Sequence, residues 1–349
     1  MPSPKPSVKK TAPSGKVKNS VRQEFAILTR DVKASLFGWA RQFEKFRDIV
    51  KNNYELGRMH LGLGNLRDAM LRFKFVLWLN PLHVDAMYYL GATYMAGGDK
   101  KAAAPWFAKV LKIRPNFEEA KYLLSVAGAK PVTGADMPTR MPLTLAVEYF
   151  DSIAAGYNAQ QLEMLKYEGH IQLDNALRSC LTPGRIDHVI LELGVGTGLC
   201  GPGVRDVASH LTGVDISAKM LEEAMKQVDS KGQKIYDALI RREAVDFLKE
   251  APDSGYNILL SAGMFSYLGD LEAVFQHSKR VLKDGGFFAF TADTLNGEGY
   301  RFEPADARFS FSKSYLQDLA ARCGFKELRF KDYAVYAEYP AWVCVYQKM

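Results

Sequence analysis

Long apolar runs are absent from this sequence of 349 residues. No stretch reaches the roughly 18–20 apolar residues that a membrane-crossing helix needs, and no apolar leader follows the N-terminus. Cysteines are also few: there are four, with neither a C-x-x-C pair nor a zinc-like spacing to histidine. These absences predict a cytoplasmic protein with reduced thiols, without a membrane span and without a metal site.

Acidic side chains are missing from the first 22 residues, which carry six of the basic ones. Because the whole chain has a net charge of +7, nearly all of the excess lies in this tail of proline, serine and lysine. Such a composition cannot bury a core, and we expect residues 1–22 to be disordered. The nearly neutral remainder argues against nucleic acid as a partner, although the tail could make weak contact with nucleic acid or anionic lipid.

A period of 34 residues occupies the first third of the chain, and seven positions agree in phase. Leucine-glycine falls on a first helix, alanine and phenylalanine on a second, and proline ends the second helix. The pattern resembles the tetratricopeptide repeat, and we expect a helical repeat domain over 23–129, with an incomplete third copy from Glu118. Whether its surface binds a partner polypeptide or only supports the larger domain stays open. The positions that recur 34 residues later are Leu56, Gly57, Ala69, Phe73, Val76, Leu77 and Pro81.

Residues 130–142 contain three prolines and no apolar periodicity, which predicts a linker. From Leu143 onward, helical patterns alternate with short apolar strands, as in a parallel doubly wound sheet. We expect strands at "HVILELG", "LTGVD", "DALIRRE", "YNILLSAG" and "GGFFAFTAD", a helix at "LCGPGVRDVASH" and an antiparallel hairpin at the C-terminus. The predicted fold is thus α/β: a Rossmann-like, mostly parallel seven-stranded sheet over 143–349, preceded by an all-α repeat domain.

A glycine-rich loop, "LELGVGTGLCG", follows the first predicted strand, and Asp215 ends the second. This is the nucleotide-binding arrangement of such sheets, because glycines let a ligand approach the backbone and the carboxylate can accept ribose hydroxyls. The next helix N-terminus offers N–H groups to an anion. Dinucleotide enzymes use G-x-G-x-x-G, whereas the spacing here is E-x-G-x-G-x-G, which makes a dinucleotide oxidoreductase the weaker alternative.

With "VDISAKML" after it, this loop resembles the class I S-adenosylmethionine-dependent methyltransferases. The resemblance covers about residues 143–349, and the repeats in front make the chain similar to bacterial predicted methyltransferases that carry tetratricopeptide repeats. It implies S-adenosylmethionine as the cofactor, with the methionine part over the glycines and its carboxylate on backbone N–H groups. The resemblance also implies that Asp215 holds the ribose and that Tyr157 closes over the cofactor. The remaining cofactor-site residues that it implies are Glu192, Gly194, Gly196, Gly198, Ile216, Met220, Glu243, Ser261 and Ala262.

No residue stands out in the sequence as a general base. By position, the candidates are Tyr267, Asp270, His170 and Glu298. Strand four is followed by "SAGM" instead of "NPPY" or "DPPY", which argues against amino-methylating nucleic-acid and glutamine enzymes, and the paired glutamates of arginine methyltransferases are missing. Three hypotheses remain: a protein acceptor recruited by the repeats, a small-molecule O- or C-acceptor, and a cofactor-binding interaction protein without catalysis.

Overall fold

The computed structural model describes residues 42, 44–128, 137–336 and 339–349. The predicted basic tail and most of the predicted linker lie outside the described residues, as does the beginning of the predicted repeat domain. The chain divides into two compact units between Thr93 and Tyr94. The domain boundaries given above remain predictions.

The first unit contains a helix over 44–62 (α1), α2 (Leu66–Leu79) and the start of α3 (Val84–Ala96). Phe73 is fully buried and stacks on Tyr89 with ring centroids 5.9 Å apart. A Cβ atom at Gly57 would lie 2.7 Å from the Phe73 ring, so only glycine permits this approach. The helix α2 ends two residues before Pro81. As predicted for this repeat, glycine lies on a first helix and phenylalanine on a second.

Two further helices open the second unit: α4 (Lys100–Ile113) and α5 (Glu118–Ala127). Asp99 begins α4 by accepting a hydrogen bond of 2.9 Å from the backbone N–H of Ala102, as N-cap residues do. Tyr122 and Val126 of α5 belong to the same apolar core as the central strands of the sheet. This helix, the last one of the predicted repeat domain, is therefore packed against the sheet.

In the described part of the chain, nine strands form one sheet in the order β3-β2-β1-β4-β5-β7-β6, and β9 pairs with β5 and β8. The first five are parallel, and the C-terminal hairpin is antiparallel to β5, which confirms the predicted fold class. A second hairpin, β6–β7, was not predicted; β7 joins the end of β5 where Asp293 pairs with Ser310. The strands are β1 (His188–Leu193), β2 (Ala208–Asp215), β3 (Ala238–Arg241), β4 (Tyr256–Ser261), β5 (Leu282–Thr294), β6 (Tyr300–Glu303), β7 (Arg308–Phe311), β8 (Phe325–Tyr336) and β9 (Tyr339–Lys348).

Helices cover both faces of the sheet, because alternate side chains of the strands point to opposite cores. Leu191 and Leu193 of β1 enter one core and Ile190 enters the other. Within the described ranges, no helix has the length and apolar character needed to cross a membrane. The helices of this part are α6 (Leu143–Ile153), α7 (Gly169–Arg178), α8 (Gly201–Val204), α9 (Ala218–Ala224), α10 (Ala244–Glu250), α11 (Glu272–Val281) and α12 (Lys313–Arg322).

The predicted helix at "LCGPGVRDVASH" is much shorter than expected. Only Gly201–Val204 is α-helical, a single 3₁₀ turn follows, and β2 already begins at Ala208. Ala208 pairs with His188 of β1. The last residues of the predicted helix therefore belong to a strand of the sheet.

Candidate functional site

Two adjoining cavities lie at the carboxyl ends of β1, β2 and β4, where α/β sheets bind their ligands. The small chamber, of about 120 Å³, is lined among others by Val214, Asp215, Ile216, Met220, Glu243 and Leu268. The large chamber, of about 430 Å³, is lined among others by Tyr149, Gln160, Tyr167, His170, Asp293 and Arg308. The two chambers share a wall made of Tyr157, Gly194, Gly196, Ala262, Gly263 and Tyr267.

The glycine turn after β1 forms the floor between the chambers. Gly194 and Gly196 have φ values of +66° and +54°, a region that side chains with a Cβ disfavour. A Cβ at Gly194 would meet Met264 at 2.7 Å, whereas a Cβ at Gly196 would project into open space. Gly198 instead backs onto Tyr236, at 2.9 Å from its added Cβ. The open cradle is thus at Gly196, and Gly198 serves internal packing.

Asp215 ends β2 at the small chamber, as predicted. Its Oδ2 accepts a hydrogen bond of 2.8 Å from the N–H of Gly196, and its Oδ1 accepts one of 2.9 Å from the N–H of Ser217. Burial raises the pKa of this carboxyl group, while the two backbone donors act in the opposite direction. Because each oxygen has a second lone pair, the carboxylate can still accept hydroxyl groups of a ligand. Ile216 and Met220 line the same chamber.

The backbone N–H groups of the glycine turn have partners inside the protein. Gly194 and Val195 both donate to the carbonyl of Val214, and Gly198 donates to the carbonyl of Val195. The N–H of Gly196 goes to Asp215. Three of these donors hold the turn against β2 and that of Gly198 closes the turn itself, and the expectation that backbone N–H groups here receive a cofactor carboxylate stays a prediction.

Glu192 reaches the wall of the large chamber from β1, but its carboxyl group is turned into the protein. The hydroxyl of Tyr236 donates to its Oε2 at 2.8 Å. Burial raises the pKa of Glu192 to about 7, and the hydrogen bonds from Tyr236 and Cys200 oppose this shift. The Tyr236 hydroxyl in turn accepts the N–H of Gly201 at 3.1 Å. Glu192 therefore stabilises the glycine-rich loop through the hydroxyl of Tyr236.

Glu243 lies on the wall of the small chamber, where the resemblance placed an adenine contact. Its Oε2 accepts the N–H of Asp246 at 2.8 Å and so caps α10, and Arg140 lies 3.6 Å from its Oε1. Ser261 differs from its predicted position, because it is fully buried and its hydroxyl donates to the carbonyl of Leu193 at 3.1 Å. Its neighbour Ala262 forms the shared wall instead.

The segment from α6 to Leu165 forms a lid over both chambers. Tyr157 lies on the shared wall, as predicted. Hydrogen bonds fasten the lid: Thr197 donates to Asn158 at 2.6 Å, and Asp151 accepts from the hydroxyl of Ser217 at 2.5 Å and from the N–H of Lys219 at 3.1 Å. The lid is thus tied to the glycine turn and to the end of β2.

Of the four candidate bases, Tyr267 and His170 line the large chamber. Asp270 does not fit a catalytic role: it is exposed, and its Oδ1 accepts the N–H of Glu272 at the start of α11. Glu298 is likewise exposed, in the turn between β5 and β6. His170 stacks on Tyr167 with centroids 5.6 Å apart, and burial lowers its pKa from 6.5. Its Nδ1 is buried without a hydrogen-bond partner in the described part of the chain.

An ion pair at the far wall of the large chamber was not predicted. Arg308 of β7 binds Asp293 of β5 in a bidentate manner, with Nε–Oδ2 and Nη2–Oδ1 distances of 2.7 and 3.0 Å. Nη2 also donates to the hydroxyl of Ser266 at 2.8 Å, and the guanidinium lies 5.9 Å from the ring centroid of Tyr267. Asp293 ends the stretch "GGFFAFTAD" that the sequence predicts as a strand, as Asp215 ends "LTGVD", and this position was the available signal. Among the described residues, no group of three or more histidine, cysteine, aspartate or glutamate side chains is arranged to hold a metal ion.

Comparisons with known proteins agree with this two-part organisation. The family described as Methyltransferase domain matches residues 190–286, and the family described as Tetratricopeptide repeat matches residues 54–116. A relative called uncharacterized methyltransferase YdaC, from Bacillus subtilis, is 29% identical over 40% of this chain and 72% of its own length.

Other similar proteins match over smaller shares or with lower identity. A ubiquinone biosynthesis O-methyltransferase from Nitrosomonas europaea is 22% identical over 36% of this chain and 52% of its own length. A crystal structure of magnesium protoporphyrin IX methyltransferase from Synechocystis has a TM-score of 0.47 at 13% identity, over 59% of this chain and 99% of that one. The chain thus spans 72% of the length of the Bacillus protein and about half the length of the Nitrosomonas protein.

Proposed function

We propose that this S-adenosylmethionine-dependent methyltransferase with tetratricopeptide repeats methylates a hydroxyl oxygen of a small, flat, uncharged acceptor. The observation that carries this proposal is the large chamber, whose walls include four tyrosines and a histidine beside the glycine turn. A volume of about 430 Å³ lies within the range of small-molecule sites.

The residues around the small chamber fit the nucleoside part of the cofactor. Asp215 offers carboxylate oxygens to ribose hydroxyls, and Ile216 and Met220 provide an apolar wall for adenine. Gly196 leaves an open cradle on the floor between the chambers, which allows the methionine part to cross from one chamber to the other. In this arrangement the transferred methyl group would face the large chamber.

The chemistry of the large chamber favours a neutral aromatic acceptor. Side chains of Tyr149, Tyr157, Tyr167 and Tyr267 present ring faces and edges on which a flat molecule can pack. The cationic residue of the described lining, Arg308, is held by Asp293 through two hydrogen bonds. Its charge is therefore compensated within the protein, which argues against recognition of an anionic acceptor. The O-methyltransferase relative supports oxygen as the acceptor atom.

A phenolic hydroxyl has a pKa near 10, so only about one molecule in a thousand is ionised at pH 7, and a base would accelerate the transfer. When bound, S-adenosylmethionine supplies a methyl group on a positively charged sulfur, already activated for displacement. We assign the base to His170, which burial keeps neutral at pH 7. A ring nitrogen of His170 would take the hydroxyl proton as the acceptor oxygen bonds to the methyl carbon and the sulfur–carbon bond breaks, and would then release that proton to solvent. The lid would exclude water and hold the acceptor in line, an effect worth up to about 7–11 kcal/mol.

The repeats support a second candidate function, because such repeats are suited to binding a polypeptide. In that case the acceptor would be a protein and the large chamber would receive one of its side chains. The two candidates differ in which fraction of a cell extract becomes methylated.

The test uses the full-length protein with S-adenosylmethionine labelled on the methyl group. One reaction receives a deproteinised small-molecule extract, and the other receives the macromolecular fraction of the same extract. The proposal predicts label in organic-soluble, neutral products of the first reaction. Label only in protein would favour the second candidate, and no label in either reaction would contradict both. A parallel titration with NADH should show no binding, because the turn has the E-x-G-x-G-x-G spacing.

A further inference from the structure

The last helix of the repeat region contacts the hairpin that carries Arg308. Tyr122 of α5 is 3% exposed, and its hydroxyl donates a hydrogen bond of 2.9 Å to the carbonyl oxygen of Ala307. Its ring packs against Phe302 with centroids 5.3 Å apart and planes inclined by 62°. One side chain of α5 therefore contacts both β6 and the turn that joins β6 to β7.

The carbonyl that Tyr122 holds belongs to an unusual turn. Ala307 has a φ of +56°, in the left-handed region that alanine adopts at an energetic cost. Fixing its carbonyl fixes the peptide plane that leads into Arg308. The next contacts of the chain are those of Arg308 with Asp293 and Ser266 on the wall of the large chamber. The position of that wall thus depends on the conformation of this one turn.

Two further observations place α5 beside the large chamber. Burial raises the pKa of Tyr122, and electrostatic interactions with Tyr267 and Tyr149 raise it further. Both of these tyrosines line the large chamber. The hydroxyl therefore stays protonated and remains a donor to Ala307. Along the same helix, Glu119 accepts a hydrogen bond of 2.7 Å from Thr144 of α6, the helix that carries Tyr149 in the lid.

We propose that Tyr122 is a positioning residue for the acceptor: it holds the β6–β7 turn so that Arg308 forms the far wall of the large chamber. The inference rests on the proposed function, since it assumes that the large chamber takes the acceptor. It assigns to the repeat region a part in methyl transfer that needs no recruited protein. The small chamber is not contacted by Tyr122, so binding of the cofactor should be independent of it.

The experiment compares full-length wild-type protein with Tyr122→Phe, which keeps the ring but removes the hydrogen bond. The probe is the deproteinised small-molecule extract, used as a dilution series with methyl-labelled S-adenosylmethionine. The matched control is Ser125→Ala, which removes a buried hydroxyl of the same helix that bonds only to the carbonyl of Lys121. Thermal unfolding and the Kd for S-adenosylmethionine are measured for all three proteins.

We expect Tyr122→Phe to raise the half-saturating extract concentration about 3- to 10-fold, the range that corresponds to one hydrogen bond. The maximal rate and the Kd for S-adenosylmethionine should change less than 2-fold, and Ser125→Ala should match the wild type. A lowered melting temperature with unchanged half-saturation would show a purely structural role and overturn the inference. No transfer by the wild type would instead contradict the proposed function, and the role of Tyr122 with it.

Discussion

Replacing Gly196 by alanine is the most direct test of where the cofactor binds. An added Cβ at this position meets no protein atom within 4 Å, so the methyl group would project into the cavity without a clash in the fold. The backbone φ of +54° would be strained by any residue with a Cβ, at a cost of roughly 1–2 kcal/mol in stability. If the methionine part of S-adenosylmethionine crosses this floor, the same methyl group also overlaps the ligand.

The size of the expected effect follows from packing. Forcing one extra methyl group into a filled site costs about 1–3 kcal/mol, and this corresponds to a Kd for S-adenosylmethionine about 5- to 150-fold higher. Gly196→Val, which is larger and β-branched, should abolish measurable binding.

Gly232→Ala provides a matched control. Gly232 has a φ of +76°, also has no atom within 4 Å of an added Cβ, and lies in an exposed turn away from both chambers. Both alanine variants should therefore lose similar stability in thermal unfolding, whereas only Gly196→Ala should lose affinity in isothermal titration calorimetry. Equal affinity of the two variants would refute the placement of the cofactor over this turn.

Three further changes test other parts of the site. Asp215→Asn should raise the Kd for S-adenosylmethionine about tenfold or more and lower the melting temperature, because one amide donor must face the N–H of Gly196 or Ser217, a mismatch worth about 1–3 kcal/mol. His170→Asn should lower kcat by about 10²–10⁴ with an unchanged cofactor Kd. In the wild type, the acid limb of the rate profile should lie below pH 6.5, since burial lowers the pKa of His170 and only the neutral ring can accept a proton. Glu192→Gln tests the buried acid: its pKa is raised from 4.5 to about 7, so the folded state binds a proton that the unfolded state has released. The free energy of unfolding of the wild type should therefore fall as pH rises from about 5 to 7, by up to about 1.4 kcal/mol per pH unit. The variant should show a flatter dependence in denaturant titrations.

The parts of the fold that the sequence predicted are those encoded in contiguous residues. Four of the five parallel strands, β1, β2, β4 and β5, contain a buried run. The turn after β1 has its glycines where φ is positive. The acid at the end of β2 follows at the spacing that such sheets require. These features depend on local chemistry, and therefore the chambers' shared floor and the position of Asp215 could be anticipated.

The orientation of side chains could not be read in the same way. Ser261 and Asp270 both lie in the sequence where a site residue is expected. The hydroxyl of Ser261 donates to the carbonyl of Leu193 in β1, however, and the carboxylate of Asp270 accepts the N–H of Glu272 at the start of α11. Whether a polar side chain bonds to the backbone or to a ligand depends on three-dimensional geometry, which cannot be read from the sequence. The roles predicted for these two residues, like those of the other site residues, stay predictions.

The far wall of the large chamber was missed because it depends on long-range packing. The strands β6 and β7 have four residues each, and "YRFE" and "RFSF" show little that separates them from a loop. They become strands because Phe302, Phe309 and Phe311 enter the core that α5 also joins. Arg308 acquires its role only when this packing brings it to Asp293.

The same packing changes how the repeat region should be tested. A recruitment module and an architectural cap are alternatives that both treat the segment over 23–129 as separable from the rest of the chain. Tyr122 and Val126 of α5, however, are buried in the core of the sheet. Removing them would forfeit roughly 1.5–3 kcal/mol for each side chain, a large fraction of the 5–15 kcal/mol that stabilises a typical protein. An excision at residue 129 would therefore damage both fragments. Because lost binding or lost activity in such fragments would report unfolding, the contribution of the repeats has to be measured by single substitutions in the full chain.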